Sequence, residues 1–512
     1  MILDNGVIHT LEPSLATARA LAIAGERVAG GVGTHETALA SPERVDLGGR
    51  CVVPGFNDAH VHFPTWAAAQ REVRLEGTAS LEEAVALVGD AVGAVEPGRW
   101  LRGRGWRSGD WAPPVEPTRE ALDAVTGDTP TALMARDYHS LWLNSAALKL
   151  HADGDLQSDG GVVEVDERGE PTGVLREESA WTFRDRYLRP TDNEFIEAMR
   201  DGLKLAAARG VTALHDKDGW LGAPRLWQRL LDDGLLTLRV WQSLPAEHLD
   251  RIDELALPAG IGGDLLRIGY LKVFMDGTLG SQTARLLDGS GVEITSRDEL
   301  AEIVRRGARS GWPVAVHAIG DAANRDALDA FEETREDWRG LRPRIEHAQL
   351  LAEEDVPRFA ELGVAASVQF SHAPSDRDIA DRLWAGTTDR AYAYRSLLDK
   401  GALVANGSDA PIEELDPLAG IRAGVLRTLD ERAGWHPEQA VTVQQALEAT
   451  TIKPTWLAGD ERRRGKLVPG YLADLVVLDR DLLTCPPEEL PDVQVVGTML
   501  AGRWVHNPPP WD

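Results

Sequence analysis

The run Val52-Val53-Pro54-Gly55-Phe56-Asn57-Asp58-Ala59-His60-Val61-His62 begins apolar and ends in a polar tip that carries two histidines. Along a strand, residues i and i+2 point to the same face, so His60 and His62 present two imidazoles side by side where the strand ends. That is half of a metal site. A lone His-x-His is more often an ordinary pair than a ligand set, so its weight depends on what else the chain places at strand ends.

From Cys51 to about residue 455, short apolar runs alternate with amphipathic helical periodicity, the signature of βα units and a parallel sheet. Candidate strands fall at 52–56, 211–215, 238–241, 268–274, 314–317, 344–347, 364–370 and 403–406. Eight strands close a (β/α)8 barrel. The count works only if residues 63–200 form an insertion after strand one, because a βα unit takes about 30 residues. Long insertions of this kind are expected over the barrel mouth. Within it, residues 161–175 read as a β-ribbon, and six of the sixteen tryptophans (Trp66, Trp100, Trp106, Trp111, Trp142, Trp181) suggest a substrate pocket. Ser80 with Glu83, Thr191 with Glu194, and Ser296 with Glu299 have capping-box spacing at helix starts.

The two ends of the chain differ from its middle. Residues 1–50 and 456–512 alternate short β-like runs with glycine turns, which predicts one small β-sandwich domain built from both termini, beside a barrel domain over 51–455.

Acidic residues outnumber basic ones by 82 to 54 in 512 residues, giving a net charge of −28. Such a chain repels phosphate backbones and anionic headgroups, which argues against nucleic acid and membrane surfaces as partners. No apolar stretch reaches the ~18 residues that span a bilayer. Cys51 and Cys485 are too few for a disulfide framework, and Met1-Ile2-Leu3-Asp4 lacks the basic start and apolar run of a signal peptide. The expectation is a cytoplasmic protein acting on a small molecule, with a homodimer as the general default.

Residue types that bind metals recur at the other expected strand ends, where barrel active sites are built. They are Lys272 on strand four, His317 on strand five, His347 on strand six and Asp409 after strand eight. Four imidazoles and a carboxylate suit Zn²⁺ and related divalent ions, one held tightly or two loosely. Lys272 is the odd member, because an ammonium has no lone pair and repels a cation. It contributes only when deprotonated or when converted by CO₂ to a carbamate that can bridge two ions. The plainer alternative pairs it with Asp276.

On these residues the chain resembles the amidohydrolase superfamily, and within it the branch of N-substituted formamide deformylase-like proteins, the amidohydrolase-3 group. The matching segments are Pro54-Gly55-Phe56-Asn57-Asp58-Ala59-His60-Val61-His62, Lys272-Val273-Phe274-Met275-Asp276-Gly277-Thr278-Leu279-Gly280-Ser281, His317-Ala318-Ile319-Gly320-Asp321-Ala322-Ala323, Glu346-His347-Ala348-Gln349 and Gly407-Ser408-Asp409-Ala410-Pro411. The resemblance implies a distorted TIM barrel and a metal-dependent hydrolase of non-peptide C–N bonds, of the N-formyl or N-acyl amide type. Its implied ligand set is His60, His62, N6-carboxylated Lys272, His317, His347 and Asp409.

Physics agrees with those roles. A divalent ion, zinc by ligand type, brings bound water towards ionisation at neutral pH and polarises a carbonyl. Asp409 can take that water's proton and return it to the leaving nitrogen, and Asp409, His317 and His347 are the catalytic candidates. His215 at the end of strand two, His139 and Asn144 in the insertion, and Gln369 at the end of strand seven are weaker candidates for touching substrate.

Two other readings compete. A one-metal deaminase acting on a ring C=N typically has a glutamate three residues after the strand-five histidine, where this chain has Gly320. A non-catalytic scaffold would be expected to lose ligands, and none of the six is missing.

Overall fold

In the computed structural model, which describes residues 1–29, 43–96, 98–150, 156–158 and 160–511, the opening stretch divides at Gly55. Residues 30–42 of the expected terminal domain thus lie outside the described residues. Cys51–Pro54 belongs to a sheet built from both termini, where it runs parallel to Ile2–His9 and antiparallel to Leu475–Leu478. The first barrel strand is Phe56–Val61, not 52–56. A side chain at Gly55 would overlap that of Thr212, so glycine lets the chain cross from one sheet to the next beside the second barrel strand.

The barrel strands are β1 (Phe56–Val61), β2 (Val211–Asp216), β3 (Arg239–Pro245), β4 (Leu266–Phe274), β5 (Val314–Ala318), β6 (Arg344–His347), β7 (Ala365–Val368) and β8 (Val404–Asn406). They pair in that order, each parallel to the next. Every residue of β1, β5 and β6 is buried, because the barrel core covers one face and helices the other. Of these, Val314–Ala318 reads as an apolar run, whereas Phe56–Val61 and Arg344–His347 bury polar and charged side chains. Closure between β8 and β1 uses two backbone hydrogen bonds from the turn after β8: Asp409 N donates to His60 O at 2.7 Å, and His62 N to Ala410 O at 2.8 Å.

All three capping signals mark real helix starts, Leu81–Val92, Asp192–Ala208 and Arg297–Arg309. The terminal sheet is fastened to the barrel by a buried two-point ion pair, with Arg239 Nε and Nη2 2.8 and 3.0 Å from the two oxygens of Asp474. Among the described residues, no helix is long and apolar enough to cross a membrane.

Met1–Pro64 with Arg200–Asp512 make one compact unit and Thr65–Met199 another. The second contains the expected ribbon, Gly161–Val165 against Pro171–Glu177, but as the edge of a six-stranded mixed sheet. Trp106, Trp111 and Trp142 pack tilted and edge-on within that unit's own core, with centroids 6.2–6.3 Å apart. These three aromatics build a core and not the pocket that their number suggested.

Gly407 sits where the barrel closes. A Cβ there would overlap the backbone nitrogen of His60 and stand 2.9 Å from its Cα. Because backbone cannot yield as a side chain can, Gly407→Ala is expected to destabilise by about 1–3 kcal/mol. Denaturant midpoints check this against Gly263→Ala, which has open space around it and should leave the midpoint unchanged.

Candidate metal centre

The six expected ligand residues converge at the C-terminal ends of the strands. His60 lies on β1 with His62 one residue beyond it, Lys272 is on β4, His317 on β5, His347 ends β6, and Asp409 follows β8. Ring centroids are 4.8 Å apart for His60 and His347, 5.6 Å for His60 and His62, and 4.6 Å for His317 and His347. Asp409 Oδ1 stands 3.2 Å from His60 Nε2 and 3.6 Å from His62 Nε2. Its Oδ2 is 3.9 Å from His347 Nδ1. The ligand atoms of His60, His347 and Asp409 all lie within 4.8 Å of one another.

Each histidine is oriented by a partner on its other nitrogen. His60 Nδ1 donates to Glu346 at 2.9 Å, His62 Nδ1 to Asp218 at 2.8 Å, His347 Nδ1 to the Gln369 side-chain oxygen at 2.8 Å, and His317 Nε2 to the Gly277 carbonyl at 3.0 Å. Carboxylates and carbonyls accept, so those nitrogens carry the protons and the opposite ones present lone pairs. Imidazoles fixed in this way are preset for metal ligation.

The consequence at His60 is specific. Its Nε2 faces Asp409 Oδ1 at 3.2 Å, where burial raises the Asp409 carboxyl and a proton on the ring would make it cationic. Burial opposes that, holding His60 and His347 well below the ordinary imidazole range and His317 at about 3. His62 differs, because Asp218 and Asp409 outweigh its burial and raise it.

Lys272 is buried, and its Nζ has no hydrogen-bond partner among the described residues. Burial lowers it to about 8 against the pull of Glu346 and Asp409. It does not pair with Asp276, whose carboxylate accepts from the backbone nitrogens of Arg285, Ile319 and Gly320 at 2.9–3.0 Å.

Residues 43–506 match the family model described as the amidohydrolase family. The chain belongs to the amidohydrolase family. It is 30% identical to YtcJ of Bacillus subtilis, named as an amidohydrolase, over 94% of this chain and 93% of that protein. It is 28% identical to N-substituted formamide deformylase of Arthrobacter pascens, over 98% and 97% of the two chains. The crystal structure of an uncharacterized metal-dependent hydrolase from Pyrococcus horikoshii is similar, with a TM-score of 0.79 and 28% identity over 95% of this chain and 99% of that one. An amidohydrolase is a hydrolase of C–N bonds, and a divalent metal belongs with this fold and this cluster of side chains.

The weaker candidates have other placements. Gln369 touches the centre only through His347, which it orients. His215 hydrogen-bonds the Pro454 carbonyl at 3.1 Å and lines a separate cavity with Asn57, Trp241 and three arginines. In the Thr65–Met199 unit, His139 pairs with Glu177 at 2.8 Å and packs against Trp181. Asn144 there caps the helix Ser145–Lys149 and accepts from Thr131 N.

Sequence reasoning missed the residues behind the ligands. Glu346, fully buried, lies 2.9 Å from His60 Nδ1 and 3.0 Å from both Lys217 Nζ and Arg344 Nε. Burial would raise its carboxyl, yet those cations hold it well below the usual range. His372, in contact range of Asp409, was missed as well. The one sequence signal was the adjacency of Glu346 to a ligand in Glu346-His347.

Removing the Glu346 charge should loosen the centre without emptying space. Glu346→Gln is expected to weaken divalent-metal affinity by roughly 10–100-fold, the usual effect of losing a partner behind a ligand. Chelator competition followed by elemental analysis measures it.

Proposed function

We propose that this amidohydrolase cleaves the C–N bond of a small N-formyl or N-acyl amine, with His60, His62, carboxylated Lys272, His317, His347 and Asp409 holding divalent metal, zinc by ligand preference. The observation that carries this is the convergence of His60, His347 and Asp409, whose ligand atoms all lie within 4.8 Å of one another and are buried. Such a cluster suits a divalent cation. The Nζ of Lys272 is the second support, since a buried amine with no hydrogen-bond partner among the described residues, set over the Phe274 ring, is suited to conversion rather than to ion pairing.

When bound, the metal supplies an acidic water and an electrophile for the carbonyl. What the chain's own residues contribute follows from their placement. Burial brings Lys272 to about 8, so its free amine is accessible near neutral pH. That amine attacks the carbon of CO₂, a C–N bond forms, one C=O pair moves to oxygen, and the nitrogen loses a proton. The product is anionic, which suits a site with several neutral imidazoles. Asp409 accepts the proton of the attacking water and hands it to the departing nitrogen, because an amine leaves poorly as an anion.

The relative named N-substituted formamide deformylase supports the N-formyl class. The deaminase alternative has nothing in its favour at the expected offset. Gly320 stands there, and the next residue, Asp321, accepts from Leu287 N at 2.9 Å and lies 3.6 Å from Arg390.

Lys272→Ala is expected to lose most bound metal, and short-chain carboxylates should partly restore metal and turnover. Elemental analysis decides: a fully metallated, active Lys272→Ala protein removes the carbamate from the reading. Asp409→Asn should remain folded while kcat on N-formyl amines falls by about 10²–10⁴. Steady-state kinetics on metal-loaded protein check it.

A further inference from the structure

His372 opens the helix His372–Leu383 just past the end of β7, and its side chain is buried. Its ring lies parallel to that of His347, with centroids 6.3 Å apart and 6° between planes. Its Nδ1 is 3.1 Å from the side-chain nitrogen of Gln349. An amide nitrogen donates, so Nδ1 accepts and the ring proton sits on Nε2. That Nε2–H has no hydrogen-bond partner among the described residues. Asp409 Oδ2 lies 3.9 Å from it, beyond hydrogen-bond range.

A buried donor left without an acceptor is uncommon, and beside a reaction centre it marks where an acceptor is to arrive. Asp409 Oδ1 faces His60 and His62, whereas His347 and His372 lie on the Oδ2 side, each 3.9 Å away. A ring nitrogen that carries hydrogen is not a metal ligand, so His372 is not a seventh member of the ligand set.

We propose that His372 is a catalytic residue whose Nε2–H hydrogen-bonds the oxygen of the scissile carbonyl, an inference that rests on the amide-hydrolysis reading above. As the water oxygen adds to the carbonyl carbon, the C=O π pair moves onto the carbonyl oxygen, and the His372 donor meets the charge where it accumulates. On collapse the pair returns, the C–N bond breaks, and the nitrogen takes its proton from Asp409. Donors fixed in advance around a developing oxyanion contribute strongly because they need not reorganise. Stacking on His347 and the Gln349 amide supply that fixation.

The test compares metal-loaded wild type with His372→Ala and His372→Gln, the glutamine offering an N–H near the same place. Metal per chain, kcat and KM on N-formyl amines, and affinity for methylphosphonate as a tetrahedral oxyanion probe are measured for each. Expected for His372→Ala is unchanged metal content, KM within about threefold, and kcat lower by about 10²–10³, as for loss of one oxyanion donor. His372→Gln should recover at least about tenfold of that loss. Metal loss in His372→Ala, unchanged kcat, or a glutamine variant as poor as the alanine one would each overturn the proposal. A metal-loaded wild type that turns over no N-formyl or N-acyl amine overturns the amide reading instead. Methylphosphonate then still decides on His372: affinity weakened at least about tenfold in the alanine variant and kept in the glutamine variant supports the donor, and equal affinity in all three removes it.

Discussion

His60 Nε2 and Asp409 Oδ1 are held 3.2 Å apart in a buried space. Neither group is free to retreat. Asp409 N bonds to His60 O at 2.7 Å and His62 N to Ala410 O at 2.8 Å, and these are the bonds that bring the end of β8 back to β1. Barrel closure and ligand convergence are therefore one constraint. The backbone that completes the sheet also presses a carboxylate against the imidazoles.

Behind this contact stands a second layer of charge that sets the protonation states. Glu346 is fully buried between Arg344, Lys217 and His60, and a carboxylate in that position is tenable only with such cations around it. By staying ionised it fixes the His60 proton on Nδ1 and leaves Nε2 open. Lys217, lowered by burial to about 7, is the most exchangeable member of the set. Asp218 does for His62 what Glu346 does for His60. The ligands are thus oriented by groups that themselves touch nothing of the reaction.

How much of this could be read beforehand follows from range along the chain. His60 and His62 are two residues apart where one strand ends, so their shared face is a local property, and Lys272 and His317 sit in apolar runs that mark themselves as strands. Glu346 and its partner His60 are 286 positions apart, and Asp218 and His62 are 156 apart, distances over which no periodicity speaks. His372 was hidden for another reason: it begins a helix rather than ending a strand, where its neighbours suggest only a turn. The first strand was placed four residues early because Val52 and Val53 are as apolar as any barrel strand, and only tertiary pairing assigns them to the terminal sheet. In the Thr65–Met199 unit, strands of two to seven residues in a mixed sheet gave no sustained period, and tryptophans that fill a core were indistinguishable from tryptophans that line a pocket.

Backbone strain gathers at the same place. His347 has φ +73° and Asp409 φ +57°, left-handed conformations that side chains other than glycine adopt at a cost. The neighbouring Ala348 is also left-handed, at φ +44°, and is held by its N–H to the Ala318 carbonyl at 3.1 Å. The left-handed backbone at His347 and Asp409 and the buried nitrogens of Lys272 and His372 without hydrogen-bond partners among the described residues each oppose folding. Each is relieved by something that binds the folded chain and not the unfolded one, so part of the free energy of metal binding becomes stability of the barrel.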